Sequence, residues 1–171
     1  GNWSGRIIFA DGTARYQITS NQAAPTDTSN DQNYWSAATF GPDSEAYYTV
    51  ATSSLAIYMV YARLVNPSVD TATNGYRVNI DGSDWTIQKV TNESVSTLGA
   101  GFSQSISNGD AIGIEVTGSA TTTIKAFYKA SGGSWTELAS RADSTSPHTA
   151  AGYIGFSSNS STAIRLDDFG G

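Results

Sequence analysis

The chain contains no cysteine, which excludes a disulfide framework and any thiol chemistry. It has one histidine, His148, so a His/Cys transition-metal site is excluded. A Ser/His/Asp triad would have to use that same residue, and no Gly-x-Ser-x-Gly elbow accompanies it. His148 lies in a Ser/Thr/Pro loop and is expected to be solvated. Charge is scarce: Asp, Glu, Lys and Arg make up 14% of residues, against about 25% in ordinary soluble proteins. The net charge of −6 opposes nucleic acid, whose phosphates need a basic face, and also anionic membrane surfaces. No apolar run is long enough to span a bilayer. No stretch carries a stripe of 3.6-residue period, which excludes a dominant amphipathic helix.

Ser, Thr, Asn and Gly take the place of the missing charge. Four prolines and seventeen glycines are scattered, as many tight turns require. The 171 residues suit one domain with a core of its own. Arg6–Ala10 and Arg15–Thr19 read as strands around the hairpin signal Asp11-Gly12. Asn21–Asn33 is a polar loop without periodicity. Tyr34–Phe40 leads through Gly41-Pro42-Asp43 into Glu45–Thr52, and Leu55–Val65 is the strongest strand signal, rich in aliphatic and aromatic residues. Gly75–Ile80 and Asp84–Val90 form a hairpin about Asp81-Gly82-Ser83. Val95–Gly99 is weaker, Ala111–Val116 alternates cleanly, Thr121–Ala130 returns along it, and Trp135–Ala139 follows. Gly152–Phe156 and Ala163–Phe169 flank a Ser/Asn-rich turn as a closing hairpin. Within its second arm, Ile164, Leu166 and Asp168 are expected on one side and Arg165, Asp167 and Phe169 on the other. Twelve or so short strands at regular spacing indicate an all-β, antiparallel two-sheet sandwich.

Three phrases carry a resemblance. The closing stretch Gly152-x-x-Gly155 with Leu166-Asp167-Asp168-Phe169, the segment YWSAATFGPDSEAYYTV from Tyr34, and Phe102 followed by Asn108-Gly109-Asp110 all resemble concanavalin A-like (LamG-like) jelly-roll domains. The resemblance runs from Asn2 to Gly171 and implies a single jelly roll over 1–171. In that family another strand precedes the Gly1-Asn2-Trp3 phrase, so an upstream segment or a neighbouring chain is expected to supply it. Asp110 is expected to tie the turn before its strand. Such domains occur in carbohydrate-binding proteins, glucanases, polysaccharide lyases and phage virion proteins.

A glucanase needs two carboxyls on one face, about 5–10 Å apart. No strand here presents acids at that alternation; Asp43 and Glu45 come nearest but straddle a turn. Most other acids sit at turns, where Asp caps the backbone. The resemblance implies that a lyase would need a Tyr/His pair with Arg and Gln, which again leaves only His148. The expectation is a protein without catalysis. Calcium has more candidate ligands, since it takes oxygen: Asp27, Ser29, Asp31 and Asn33 place side-chain oxygens at alternate positions of a polar loop, and Asp167 and Asp168 are adjacent. Turn capping explains the same residues equally well.

Sugar binding needs flat aromatic faces and side chains that bond hydroxyls. Alternation gathers Tyr61 and Arg63, Arg77 and Asn79, and Thr86 and Gln88 into one polar strip across neighbouring strands. Trp85 is a stacking platform or a core residue, and Trp135 beside a Gly-Gly loop is a further aromatic candidate. A polar sheet face exposed to water would look the same. The expected function is a non-catalytic, lectin-like module of a secreted or surface protein, with a polysaccharide or glycan as partner. The alternative is a phage capsid-decoration or tail-fibre domain with virion or self-assembly partners; a glycan-cleaving enzyme stands third.

Overall fold

A computed structural model describes residues 3–5, 16–26, 28, 31–54, 57–67, 72–159 and 161–171, with only the backbone at 3–5 and 31. The expected strand Arg6–Ala10, the Asp11-Gly12 turn and Asp27 lie outside these residues.

Two antiparallel sheets face one another. The first, sheet A, contains β1 (Trp3–Gly5), β4 (Asp31–Trp35), β6 (Ile57–Val65), β7 (Asn74–Asp81), β8 (Asp84–Thr91), β9 (Ser94–Thr97), β10 (Phe102–Ser103) and β14 (Tyr153–Asn159). Its order is β1-β4-β14-β6-β7-β8, and β9 and β10 both pair with the far edge of β8. The second, sheet B, contains β2 (Tyr16–Thr19), β3 (Gln22–Pro25), β5 (Ser44–Thr52), β11 (Asp110–Thr117), β12 (Thr122–Lys129), β13 (Trp135–Asp143) and β15 (Arg165–Gly170), in the order β13-β12-β11-β5-β15-β3-β2.

The core follows from period-2 alternation. Tyr58, Val60 and Ala62 of β6, Tyr76, Val78 and Ile80 of β7, and Trp85 and Ile87 of β8 face inward from sheet A. Ala46, Tyr48 and Val50 of β5, Ile112, Ile114 and Val116 of β11, and Ile124 and Ala126 of β12 meet them from sheet B. Trp85 is fully buried, its indole N–H donating to the Gln104 carbonyl at 2.7 Å. The β7–β8 hairpin forms as expected, with Asp81 opposite Asp84 and Gly82 at φ 61°, a left-handed turn position that glycine occupies without strain. Asp110 ties its turn: its carboxylate accepts from the Ser107 N–H at 2.8 Å, the Ser131 N–H at 2.9 Å and the Tyr128 hydroxyl at 2.8 Å.

Several expectations change. Gly152–Phe156 and Ala163–Phe169 do not form a hairpin: β14 pairs with β4 and β6, whereas β15 pairs with β5 and β3. The turn between them crosses from one sheet to the other, which lets Ile154 and Phe156 pack against Ile164 and Leu166 across the core. The polar stretch Asn21–Asn33 contributes β3 and the start of β4. Among the register shifts, two fall at residues with left-handed backbones. Arg63 has φ 52° where the β6–β7 register shifts between Ala62 and Val65. Asp168 has φ 49° where the β15–β5 register shifts between Asp167 and Gly170. A bulge adds one residue to one strand and reverses which side the following residues face. Phe169 is thereby turned onto Phe156, ring centroids 5.2 Å apart.

Candidate functional site

Cross-strand partners share a face, so the pairing registers define what the outer side of sheet A presents. One row runs Tyr34–Gly155–Tyr61–Arg77–Gln88–Thr97. The next runs Gln32–Ser157–Met59–Asn79–Thr86. Sequence alternation finds the β6–β8 part of both rows. It does not find Ser157 or Gln32, because β14 reaches β6 only through the fold. Gly155 and Ser157, alternating with the apolar Ile154 and Phe156, are the signal that β14 shares this face.

Arg77 is the centre of the strip. Its Nε donates to Gln88 Oε1 at 2.7 Å, and its Nη1 reaches the Tyr61 hydroxyl at 3.3 Å and Met59 Sδ at 3.2 Å. The guanidinium carbon lies 5.9 Å from the Tyr61 ring centroid, within cation–π range. Gln88 Nε2 in turn donates to Thr86 Oγ1 at 3.0 Å. The guanidinium is therefore oriented from two sides while Nη2 makes no hydrogen bond to a described residue. Asn79, half-buried beside it, has a side-chain amide with no partner among the described residues. Ser157 Oγ is buried without a partner among the described residues.

Three of the expected ligand residues change role. Tyr61 is fully buried and belongs, with Tyr34, Met59, Leu64 and Val90, to a second apolar cluster on this side of the sheet. It positions Arg77 and offers no ring face for stacking. Trp85 points into the core. Arg63 leaves the strip at its bulge, and its buried guanidinium commits every N–H. Nε donates to the Pro42 carbonyl, Nη1 to Thr122 Oγ1 at 3.0 Å and the His148 carbonyl at 2.9 Å, and Nη2 to Asp43 at 3.3 Å and the Gly118 carbonyl at 2.9 Å. Those are all five donors a guanidinium has. Burial draws its pKa down, against the opposing pull of Asp43 and Tyr76.

Asp43 is held by this arginine and by the Gly118 N–H at 2.8 Å, while Glu45 lies on the outer face of sheet B opposite Glu115. His148 is half-buried, not solvated. Its ring packs on Tyr76 at 5.5 Å, and Nε2 lies 2.7 Å from the Val90 carbonyl, which can only accept and so fixes the proton on Nε2. Burial lowers the His148 pKa and the nearby Lys89 lowers it further, against the raising effect of the Val90 bond and Asp143. Tyr76, whose hydroxyl donates to Asp143 at 2.8 Å, is pushed up to about 12 by burial and by that carboxylate.

Of the calcium candidates, only the backbone of Asp31 is described. Asp167 accepts from Gln22 Nε2 at 3.4 Å and from the Asp168 N–H at 2.9 Å, while Asp168 accepts from Thr49 Oγ1 at 3.5 Å. Among the described residues no three His, Asp or Glu side chains gather as a metal would need. No helix among them is long and apolar enough to cross a membrane.

No protein-family model and no curated protein sequence matches the chain. Solved structures do. A carbohydrate-binding module, CBM66 from Bacillus subtilis, superposes with a TM-score of 0.63 at 12% identity, covering 98% of this chain and 91% of that one. A prokaryotic β-1,3-1,4-glucanase (lichenase) from a mouse hindgut metagenome gives 0.62 at 10% identity, with 98% and 90% covered. The exoplasmic/lumenal domain of VIP36, in a Ca2+/Man3GlcNAc-bound form, gives 0.56 at 14% identity, with 97% and 80% covered. The chain thus has the concanavalin A-like jelly-roll fold. At these identities the likeness extends to the fold and no further.

Proposed function

We propose that this jelly roll is a non-catalytic carbohydrate-binding module that meets glycan hydroxyls with the outer face of sheet A. The observation that carries the reading is Arg77: a guanidinium clamped by Gln88 and Tyr61, whose Nη2, like the neighbouring Asn79 amide, has no partner among the described residues. A sugar hydroxyl both donates and accepts, and these two side chains supply both complements. Because Arg77 is already oriented, binding sacrifices little side-chain freedom there.

The fold it shares with CBM66 and with the Man3GlcNAc-bound VIP36 domain supports the ligand class. The lichenase neighbour brings an enzymatic alternative. Two observations weigh against carrying that alternative over. The residues of the two strip rows include no carboxylate, where glycoside hydrolysis needs a pair. The tyrosine–histidine pairing seen among the described residues uses Tyr76, a buried phenol with a pKa of about 12. Nothing in the fold favours the virion-assembly alternative. A secreted or surface-exposed parent protein suits such a module.

A glycan array probed with the wild-type domain and with Arg77→Ala tests the reading. Binding to a defined glycan class that is lost in Arg77→Ala supports it. Silence across the array, or measurable cleavage of any polysaccharide, overturns it.

A further inference from the structure

The outer face of sheet B carries a feature that the sheet A strip does not explain. Trp135 and Tyr47 are two of the few large apolar side chains left exposed, at 43% and 37%. They sit on different strands, yet their rings meet edge to face with centroids 5.8 Å apart and planes at 66°.

Two glycines make this possible. Trp135 on β13 pairs with Lys129 on β12, which pairs with Ala111 on β11. Its indole nevertheless reaches over β11: a Cβ on Gly113 would lie 3.4 Å from Cζ3 and 3.5 Å from Cη2. Strands are about 4.8 Å apart, so the indole lies across β12 and along the sheet. Tyr47 leans the other way, over β15, where a Cβ on Gly170 would lie 2.6 Å from its hydroxyl. The two rings wall an open hollow of about 320 Å³, also lined by Gly113, Phe127, Glu45 and Glu115.

The charges around it are mixed. Lys125 pairs with Glu115 at 2.9 Å and approaches Glu137 at 3.8 Å. Lys129 Nζ lies 5.9 Å from the Trp135 ring centroid. Glu45 is exposed and has no partner among the described residues. An anion would meet three carboxylates here, and an exogenous cation would find the face of Trp135 already approached by Lys129. A neutral ring with an apolar side and a rim of hydroxyls suits both: its C–H face lies on an aromatic ring while carboxylates and ammonium groups take the hydroxyls.

We infer that the Tyr47–Trp135 hollow is a second ligand site, on the opposite side of the sandwich from Arg77, and that it takes a neutral hexopyranose unit of a glycan chain. It shares the ligand class of the reading above but none of its residues. The test titrates the domain with cellohexaose, laminarihexaose and mannohexaose, and with an alginate hexamer as the anionic contrast. Affinity is measured by calorimetry in wild type, Trp135→Ala, Trp135→Phe, Glu45→Gln and Arg77→Ala, and the indole N–H resonance of Trp135 is followed in the three that retain it. At least one neutral hexamer shifts the Trp135 signal and the alginate hexamer does not. Trp135→Ala weakens that binding about tenfold or more, Trp135→Phe restores part of it, and Glu45→Gln weakens it less. Trp135 is half-exposed on an edge strand, and an unchanged melting temperature confirms that the variants fold. An unmoved Trp135 resonance with every neutral hexamer overturns the site, as does unchanged affinity in Trp135→Ala. So does sedimentation showing a dimer that Trp135→Ala dissolves, since the hollow would then be a self-association surface. Loss in Arg77→Ala with no effect in Trp135→Ala upholds the sheet A reading alone; the reverse upholds this site alone.

Discussion

Gly152 lies directly against the bulge at Arg63: a Cβ added to Gly152 would come within 2.6 Å of the Arg63 carbonyl carbon and 2.7 Å of the Leu64 carbonyl oxygen. The same glycine exchanges two backbone hydrogen bonds with Phe40, at 2.8 and 3.1 Å. The bulge turns Arg63 off the polar strip, and the bare backbone of Gly152 gives the bulge room. Gly152→Ala therefore forces backbone against backbone and costs about 1–3 kcal/mol or more. Chemical denaturation should give a lowered midpoint with an unchanged slope.

Arg63 is a stability residue. It joins the Pro42-Asp43 turn, Gly118, Thr122 and the His148 segment through one buried guanidinium. Arg63→Ala leaves the Pro42, Gly118 and His148 carbonyls without their donor, at about 1–3 kcal/mol for each one that stays buried and unpaired. Arg63→Lys recovers only part, since an ammonium has three donors in place of five. Denaturation of both variants checks the order. Glycan affinity of the folded fraction should be unchanged, which separates this arginine from Arg77.

The same end of the molecule sets an acid limit. His148 is held neutral by burial, so its folded-state pKa lies below the ordinary 6.5. A depressed pKa means that the unfolded chain binds the proton more readily. Its contribution to stability is present above pH 6.5 and is lost as pH falls through the folded-state value. Asp143 follows at lower pH. Burial alone would raise its pKa, but Lys89 at 2.8 Å and the Tyr76 hydroxyl outweigh that and lower it from 3.8. Melting temperatures between pH 7 and pH 3 should fall in two stages, and His148→Gln should remove the first.

Trp85 belongs to the core. Trp85→Ala costs about 3–5 kcal/mol, and Trp85→Phe less, with the Gln104 carbonyl left unpaired. Thermal unfolding measures the loss. Glycan binding by Trp85→Phe at temperatures where it is folded should match wild type.

Much of the sandwich was legible in alternation. β5, β7, β8, β11 and β12 lie within a residue or so of where the apolar period places them, because each has one face on a single core. What alternation could not supply were the changes of phase. Arg63 and Asp168 adopt left-handed backbones that the sequence marks with no glycine, and each reverses the side on which later residues lie. That moved Arg63 out of the ligand strip and Phe169 into the core. The pairing of β14 with β6 and β4 was equally hidden, since Gly152–Phe156 and Ala163–Phe169 look like a hairpin until both apolar sets are seen to face one core from opposite sheets. Of the expected strip, Arg77, Asn79, Thr86 and Gln88 stay together because β7 and β8 carry no bulge.

The most direct test of the glycan-binding account follows the Arg77 Nε–H resonance and the side-chain amides of Asn79 and Gln88 while the array's best glycan is titrated in. The account predicts that all three shift along one saturating curve, that the curve matches the affinity measured by calorimetry, and that Arg77→Ala abolishes it. Saturating binding that leaves these three resonances in place would contradict it.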